Sequence, residues 1–359
     1  MPTPPPATTG RAPRRLRVAV VGAAGYTGGE LLRLLVAHRG VEVVAATSER
    51  LAGRYVHHTH PVLRGRSSLR FTARGAVPEC DVLFAALPHG ATEAIIDELR
   101  GRAAVVIDLS ADFRLRDRGD YERWYGRRHG RPELLDSAVY ALPEIDRSRI
   151  RRADLLATGG CVATAAILAL LPLADAGVVD AHQTLVVDAK VGSSAAGAQP
   201  SGSSHHPHRS GAMRSFAPTG HRHTAEVIQE TGLRNVALSV TAVEAVRGVL
   251  VTAHVPLSEA SVDDRALRAI FRDRYLGEPF VRVITEARGL HRYPEPKLLA
   301  GTNYCDVGVE RDAHGARAVV LAAIDNLGKG SAAQAVHAFN VRAGLNECEG
   351  LDFAGLYPT

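Results

Sequence analysis

The sequence has few of the features that define several common classes of protein. Its 359 residues include 4 cysteines, 2 methionines and 1 tryptophan, and aromatic residues make up 5%. The cysteines (Cys80, Cys161, Cys305 and Cys348) lie far apart without a CxxC pair, which excludes a disulfide-stapled small domain and a Cys-rich zinc framework. No run of about 18 apolar residues is present, so the sequence predicts no membrane span.

The composition is that of a globular protein with two domains. Hydrophobic residues make up 46% and charged residues 23% of the chain, which provides enough apolar surface for a sizeable core. Widely spaced cysteines favour a reducing compartment, so we expect a cytoplasmic protein. Residues 1–13, rich in proline and threonine, lack the apolar segment of a secretory signal and are predicted to form a disordered lead.

Lysine is scarce, because Lys190, Lys297 and Lys329 are the only lysines among 43 basic residues. With 38 acidic residues the net charge is +5. Two interpretations remain open: a bias towards arginine codons, or an anionic partner such as a phosphorylated substrate, a dinucleotide or an acidic protein. The arginines are scattered and few aromatic residues lie between them, so nucleic acid is not predicted as a partner.

The first half of the chain alternates strands and helices. A Val-rich run at residues 16–21, a glycine turn at 22–28 and leucines at helical spacing over 30–38 form one strand-turn-helix unit. Further strands are predicted at Val41–Ala46, Val82–Leu87, Ala104–Leu109 and Leu155–Thr158. This alternation is typical of a parallel sheet with right-handed crossovers and predicts an α/β Rossmann domain over residues 14–160.

The second half has longer strands that helices do not regularly separate. Strands are predicted at Thr184–Asp188, Ala237–Val246, Leu250–Val255 and Ala318–Ile324. They indicate an α+β domain with a mixed or antiparallel sheet over residues 161–328. We expect residues 117–133 to form a surface excursion. Residues 193–215, rich in Ser, Gly and His, are expected to form a functional or mobile loop.

The glycine turn carries the first functional prediction. Gly22, Gly25 and Gly28 permit a tight turn, close approach of the backbone to a pyrophosphate, and close packing of the helix on the strand. The backbone N–H groups at the helix start, around Tyr26 and Thr27, then face the phosphates. The alternative is a glycine-rich turn without a ligand.

The end of the second strand favours NADP over NAD. NAD enzymes usually place an acidic residue there for the ribose hydroxyls. This sequence has Ser48 and Arg50, which suit a 2′-phosphate, although Glu49 between them argues the other way unless it points outward.

Cys161 is the candidate nucleophile. It follows two glycines and precedes a strongly apolar helix, and a thiol at a helix N-terminus is expected to have a lowered pKa. The alternative is a small buried core cysteine.

A dense group of polar residues offers a partner for this thiol. His221, His223 and Glu226 are spaced so that the carboxylate can orient an imidazole at the start of a helix. A zinc site that includes His205, His206 and His208 is the competing interpretation, and it is disfavoured because no cysteine or acidic residue completes the set.

Five motifs together resemble those of the N-acetyl-gamma-glutamyl-phosphate reductases, and the resemblance runs from about residue 16 to the C-terminus. The motifs are Gly22-Ala-Ala-Gly25-Tyr-Thr-Gly28, Asp108-Leu-Ser-Ala-Asp-Phe-Arg114, Gly160-Cys161, His221-Arg-His223-Thr-Ala-Glu226 and Asp325-Asn326-Leu-Gly-Lys-Gly330. Departures from the arginine-pathway branch occur before Cys161, at residues 191–197 and at residues 241–248. These variants, with the segment at 204–207, resemble instead the sister branch acting on aminoadipyl or glutamyl phosphate linked to a LysW-type carrier.

The resemblance implies a fold and a chemistry. The fold is an NADP-binding Rossmann domain, completed by residues 329–359, plus a glyceraldehyde-3-phosphate-dehydrogenase-like domain for catalysis, substrate binding and oligomerisation. Cys161 then forms a thioester that NADPH reduces to a semialdehyde. His221 is our first choice for proton transfer and His223 the second, with Glu226 as orienting partner.

The resemblance also places further contacts. Arg114, Ser193 and Ser194 are candidates for the substrate phosphate, although Arg114 equally suits a structural salt bridge. Arg247 is a further substrate candidate, and Pro88 and Asn326 are cofactor candidates. A small acidic carrier protein, a homotetramer or homodimer, and no metal ion are expected. The alternatives are an arginine-pathway reductase of free N-acetylglutamyl phosphate and, outside enzymes, an NADP-sensing regulator.

Overall fold

A computed structural model describes residues 14–259 and 262–358 of the chain. The predicted disordered lead at 1–13 lies outside the described residues. Within this part of the chain, no helix has both the length and the apolar character needed to cross a bilayer.

The first sheet is parallel throughout. Its strands are β1 (Leu16–Val21), β2 (Val41–Thr47), β3 (Phe71–Thr72), β4 (Cys80–Ala85), β5 (Ala103–Asp108), β6 (Val139–Tyr140) and β7 (Leu155–Ala157). They lie in the order β3-β2-β1-β4-β5-β7-β6, and every neighbouring pair is parallel. The carboxyl ends of β1, β4, β5 and β7 therefore share one edge, where ligands bind in open sheets of this kind.

The second sheet is mixed. Its strands are β8 (Leu185–Val191), β9 (Arg214–Ala217), β10 (Val236–Ala242), β11 (Val249–Pro256), β12 (Val281–Val283), β13 (Cys305–Arg311) and β14 (Arg317–Ile324). They lie in the order β12-β13-β14-β11-β8-β10-β9, with parallel pairing at β12–β13 and β8–β10 and antiparallel pairing elsewhere. The predicted fold class, a Rossmann domain joined to an α+β domain, is confirmed.

Helices cover both sheets. They are α1 (Tyr26–Ala37), α2 (Val56–Thr59), α3 (Ala91–Arg100), α4 (Arg118–Tyr125), α5 (Arg147–Ile150), α6 (Cys161–Asp175), α7 (His206–Arg209), α8 (His223–Thr231), α9 (Asp264–Tyr275) and α10 (Ala333–Ala343). A π-helical turn, Gly328–Ala332, leads into α10. Residues 332–341 belong to the same buried core as the first sheet, so the chain returns to that sheet after completing the second.

Helix α6 joins the two halves. Residues 162–173 are all buried, and they pack against the second sheet and α8 because the helix is apolar on every side. Its first residue, Cys161, follows β7 of the first sheet by only a short loop. The thiol therefore stands where the two sheets meet.

The predicted surface excursion at residues 117–133 is only partly exposed. It contains α4, whose Tyr121 is fully buried, and His129 is buried as well. Tyr121 and Tyr125 contact the ring of His89 after β4, with centroids 6.0 and 4.6 Å apart respectively. Burial of these aromatic rings outweighs the charge of the segment, which the sequence interpretation had weighted more heavily.

Candidate active site

The glycine turn leaves an open cradle at the start of α1. Gly22 has a φ of +81° and a Cβ there would overlap the Ala86 carbonyl oxygen, whereas a Cβ on Gly28 would lie 2.6 Å from the Ala23 Cα. A Cβ at Gly25 would meet no atom within 4 Å. The first and third glycines are therefore needed for packing, and the second faces free space beside the unpaired N–H groups of the helix start. The turn fits a dinucleotide pyrophosphate.

The end of β2 presents a serine and an arginine beside this cradle. Ser48 is half-buried and Arg50 is exposed. Glu49, the residue that argued for NAD, accepts a hydrogen bond from the backbone N–H of Arg74 at 2.8 Å. Because the neighbouring loop binds this carboxylate, the guanidinium of Arg50 remains available for an anionic ligand.

The candidate nucleophile lies between glycines. A Cβ on Gly160 would overlap the imidazole Nε2 of His223, and a Cβ on Gly330 would lie 2.6 Å from the Cβ of Cys161. Gly159 is equally confined, by the hydroxyl of Tyr140. These glycines allow an imidazole and the π-helical turn to approach the thiol on two sides.

The pKa of the Cys161 thiol is raised to about 11, and not lowered as the helix start predicts. Burial is the largest cause, and the backbone N–H of Val162 and the charge of Arg114 oppose it only in part. The expectation of a lowered pKa was wrong because the dipole of α6 is a local effect, whereas desolvation depends on everything packed around the sulfur. The ligand-free protein holds a neutral thiol.

The carboxylate of Glu226 binds the loop that precedes Cys161, the candidate nucleophile. The carboxylate is fully buried, and its Oε2 accepts hydrogen bonds from the Gly160 N–H and the Tyr140 hydroxyl, each at 2.9 Å. Its Oε1 lies 3.3 Å from Nη1 of Arg114 and 3.9 Å from Nε2 of His223. The predicted imidazole contact is therefore longer than a hydrogen bond, because three closer donors occupy the carboxylate.

The two histidines are neutral and adjacent. Their rings meet edge to face with centroids 4.5 Å apart. Burial, aided by the charge of Arg222, lowers the pKa of His221 to about 4, and burial lowers the pKa of His223 well below its ordinary value. Nδ1 of His223 has no hydrogen-bond partner among the described residues. Both rings are therefore unprotonated at neutral pH, and burial opposes their protonation.

The guanidinium of Arg114 is buried and bound by groups of the protein itself. Its side chain is 9% exposed, and it donates to the carbonyl oxygens of Thr158 (2.8 Å) and Leu109 (3.3 Å) as well as to Glu226. Of the two roles left open, the geometry favours the structural salt bridge over a phosphate contact.

A separate polar group joins Ser194, Asn326 and Arg247. Nδ2 of Asn326 donates to Oγ of Ser194 at 2.9 Å, and its Oδ1 accepts from the Gly248 N–H at 2.8 Å. Arg247 donates to Asp325 at 2.8 Å and to Glu30 of α1 at 2.9 Å, so it bridges the cofactor helix and the second domain.

Two cavities of about 440 and 460 Å³ adjoin this group and share three lining residues. The shared residues are Tyr26, Arg247 and Leu327. The second cavity is also lined by Ser193 and Ser194. Leu327, three positions before Gly330, lines both cavities, whereas Cys161 lines neither. The start of α1 and the predicted substrate serines thus border neighbouring cavities.

Pro88 follows β4, beside the strand that carries the glycine turn. His205, His206 and His208 do not form a zinc site in this structure, since residues 14–259 and 262–358 contain no group of three His, Cys, Asp or Glu side chains arranged to hold a metal ion.

Several residues of the site escaped the sequence interpretation. Tyr140 and Gln334 are the clearest, because Gln334 accepts a hydrogen bond from the Gly159 N–H at 2.7 Å and donates to Thr164 at 3.0 Å. Tyr140 is 86 positions from Glu226 and Gln334 is 175 from Gly159, so no local pattern joins them. The Gly-Lys-Gly sequence at 328–330 was the one available signal for the turn beside Cys161.

An open glycine cradle in a Rossmann domain, joined to a second domain that begins with a thiol, is the architecture of a dinucleotide-dependent oxidoreductase. Sequence comparison makes the class specific. The NAD binding domain of semialdehyde dehydrogenases matches residues 17–153, and their dimerisation domain matches residues 161–326. The chain belongs to the semialdehyde dehydrogenase family.

Two relatives are similar over almost their whole length. A LysW-L-2-aminoadipate 6-phosphate reductase from Deinococcus radiodurans is 45% identical over 95% of this chain and 98% of its own. A protein from Thermomicrobium roseum with the same name, given provisionally, is 53% identical over 95% of this chain and 99% of its own. The resemblance to the carrier-linked branch is confirmed.

Solved structures share the fold at low identity. Aspartate semialdehyde dehydrogenase II from Vibrio cholerae has a TM-score of 0.69 and 17% identity, over 92% of this chain and 99% of that one. Aspartate semialdehyde dehydrogenase with NADP from Candida albicans has a TM-score of 0.64 and 14% identity, over 91% and 99%.

The raised thiol pKa predicts how Cys161 reacts with an alkylating agent. Because the thiolate is the nucleophile and the pKa is about 11, alkylation of the ligand-free protein by iodoacetamide should rise about tenfold per pH unit from pH 7 to 10. The rate is measured by mass spectrometry of the peptide that contains Cys161, with a short cysteine peptide as the reference. A rate that levels off below pH 8 would contradict the burial argument.

Proposed function

We propose that this protein catalyses the NADPH-dependent reductive dephosphorylation of an aminoadipyl or glutamyl phosphate attached to a LysW-type carrier protein. The product is the corresponding semialdehyde, in lysine- or arginine-type amino-acid biosynthesis. The observation that carries the chemistry is the position of Cys161 at the first turn of α6, where it follows Gly160, which contacts the imidazole of His223, and packs against Gly330 of the cofactor domain. The substrate is inferred from the names of relatives at 45 and 53% identity.

The first step exchanges the phosphate for the enzyme sulfur. We assign the thiol proton to His223, whose Nε2 lies against Gly160, with His221 behind it in edge-to-face contact. The sulfur of Cys161 forms a bond to the acyl carbon, the bond from that carbon to the phosphate oxygen breaks, and inorganic phosphate leaves. Covalent capture divides a difficult displacement into two easier steps.

The second step reduces the thioester. The reduced nicotinamide supplies the hydride. We assign the stabilisation of the oxyanion that forms to the N–H groups of Cys161 and Val162 at the start of α6, because the first turn of a helix leaves such donors without an intrahelical partner. The carbon–sulfur bond then breaks, the aldehyde leaves, and the protonated imidazole of His223 returns its proton to the sulfur. One hydride and one proton are consumed overall: the hydride reduces the acyl carbon, the departing phosphate takes up the proton from solvent, and the thiol is restored.

We assign the substrate-binding site to the cavity lined by Ser193, Ser194 and Arg247. Arg209 lines the same cavity, and the exposed side chains of His206 and Arg214 lie on the adjoining segment. This basic and imidazole-rich rim suits an acidic carrier, and the net charge of +5 supports the same choice.

We also infer a homo-oligomer, a dimer or a pair of dimers, in the cytoplasm. The outer face of the second sheet carries partly exposed apolar side chains, among them Val186 at 40%. Residues 161–326 match a dimerisation domain, which supports pairing through this half of the chain. The free cysteines favour a reducing compartment.

The choice of NADP predicts the effect of Arg50→Ala. A hydrogen bond to a charged group contributes about 1.5–3 kcal/mol, so the Kd for NADPH should rise about tenfold or more while the Kd for NADH stays within about twofold. Fluorescence titration with both cofactors measures the effect, and Arg54→Ala, an exposed arginine of the same loop, is the control. Equal weakening of both cofactors would remove Arg50 from the 2′-phosphate site.

The substrate assignment is tested by comparing two aldehydes in the reverse reaction. With NADP and phosphate, carrier-linked aminoadipate semialdehyde should be oxidised with a kcat/KM about tenfold or more above that of free N-acetylglutamate semialdehyde, because the remote carrier contributes binding energy. Cys161→Ser, the control, should lose all oxidation and retain NADPH binding. Preference for the free compound would assign the protein to the arginine pathway, and activity in Cys161→Ser would exclude the thioester route.

A further inference from the structure

A buried ion pair lies behind the candidate nucleophile and has no part in the chemistry above. The side chain of Lys329 is fully buried, and its Nζ donates to Oε1 of Glu144, which is also fully buried, at 2.6 Å. Nδ1 of His337 lies 3.5 Å from the same Nζ, and the ring centroid of Phe280 lies 5.6 Å from it. A lysine so placed needs an explanation, because a charged group is rarely buried completely.

Lys329 belongs to a segment whose neighbours contact the site on both sides. The preceding residues Asp325 and Asn326 bind Arg247 and Ser194. Within the π-helical turn, Gly330 packs against Cys161. Such π-helical turns occur frequently at functional sites.

The pair anchors this turn to a second segment that also reaches the nucleophile. Glu144 lies four positions after Tyr140, whose hydroxyl donates to Glu226, and Glu226 in turn accepts from the Gly160 N–H. Gly160, which precedes Cys161, is thereby linked to Tyr140 through Glu226. Gly330, which packs against Cys161, is linked to Glu144 through the ion pair with Lys329. Beyond the pair, His337 donates to Glu347 at 2.9 Å, which extends the network into the C-terminal segment.

Stability alone does not account for two buried charges. Removing both charges from water is costly, and apolar residues of similar volume often stabilise a fold equally well or better. The ion pair between Lys329 and Glu144 fixes the distance and the direction between the π-helical turn and residues 140–144. A hydrogen-bonded ion pair has one favourable geometry, whereas apolar side chains can pack in many.

We propose that Lys329 and Glu144 are positioning residues that fix the turn at 328–332 against Cys161 and so set the position of the thiol relative to His223. This inference rests on the proposed function for its kinetic consequence only. Cys161 is the residue that reacts, and the ion pair acts through Gly330.

The test compares the double variant Lys329→Met/Glu144→Gln with the wild-type protein. The double variant leaves no unpaired buried charge, so it should fold with a melting temperature close to that of the wild type. We expect its kcat to fall by about 100-fold with little change in KM, since a displacement of about 1 Å costs that much. The pH profile of Cys161 alkylation should change as well, a readout that does not depend on the substrate.

The control is the double variant Arg282→Met/Asp306→Asn, which removes an ion pair between β12 and β13 without leaving a buried charge unpaired, on strands that carry no residue of the site. Its kcat and alkylation profile should equal those of the wild type. If the Lys329→Met/Glu144→Gln variant does not fold, Glu144→Asp, which keeps the charge and shortens the side chain, should show the same changes to a smaller degree. Wild-type kcat and alkylation profile in the variant that folds would overturn the proposal. Absence of reductase activity in the wild type would refute the proposed function. The alkylation profiles of the wild type and the Lys329→Met/Glu144→Gln variant would still test the positioning role of Lys329 and Glu144.

Discussion

One buried carboxylate, Glu226, fixes the position of the loop that precedes the candidate nucleophile, Cys161. It lies on α8 of the second domain, and it binds the Gly160 N–H, the Tyr140 hydroxyl and Arg114, which all belong to the first domain. A carboxylate without solvent must find all its donors in the protein, so its position is fixed once they are fixed. The cofactor domain and the helix with the histidines are thereby held in one arrangement around Cys161.

The same burial leaves the Cys161 thiol protonated in the absence of substrate. The pKa of Cys161 is raised, while the pKa values of His221 and His223 are lowered, so the resting site contains a neutral thiol beside neutral imidazoles. Thiolates are the forms that oxidise and alkylate, and a protonated thiol avoids both. In the proposed mechanism, transfer of the thiol proton to His223 activates Cys161, and this step takes place in the complex with substrate.

Local patterns predicted much of this molecule, and long-range packing accounts for the rest. Strand β1, the glycine turn and α6 follow from runs of apolar residues and from glycines, whose meaning is local. Strands β9, β12 and β13 have no strong period and form only because the sheet beside them exists. Lys329 and Glu144 are 185 positions apart, and the pKa of Cys161 depends on everything packed around it, so neither can be read from spacing.

Formation of a covalent acyl-enzyme is the claim on which the functional account depends. The most direct test is intact-protein mass spectrometry after the wild-type protein is mixed with the carrier-linked acyl phosphate in the absence of NADPH. We expect a mass increase equal to the acylated carrier, located on Cys161 and released by hydroxylamine, with one phosphate freed per protein chain. An unmodified protein, with phosphate released only when NADPH is added, would contradict the account.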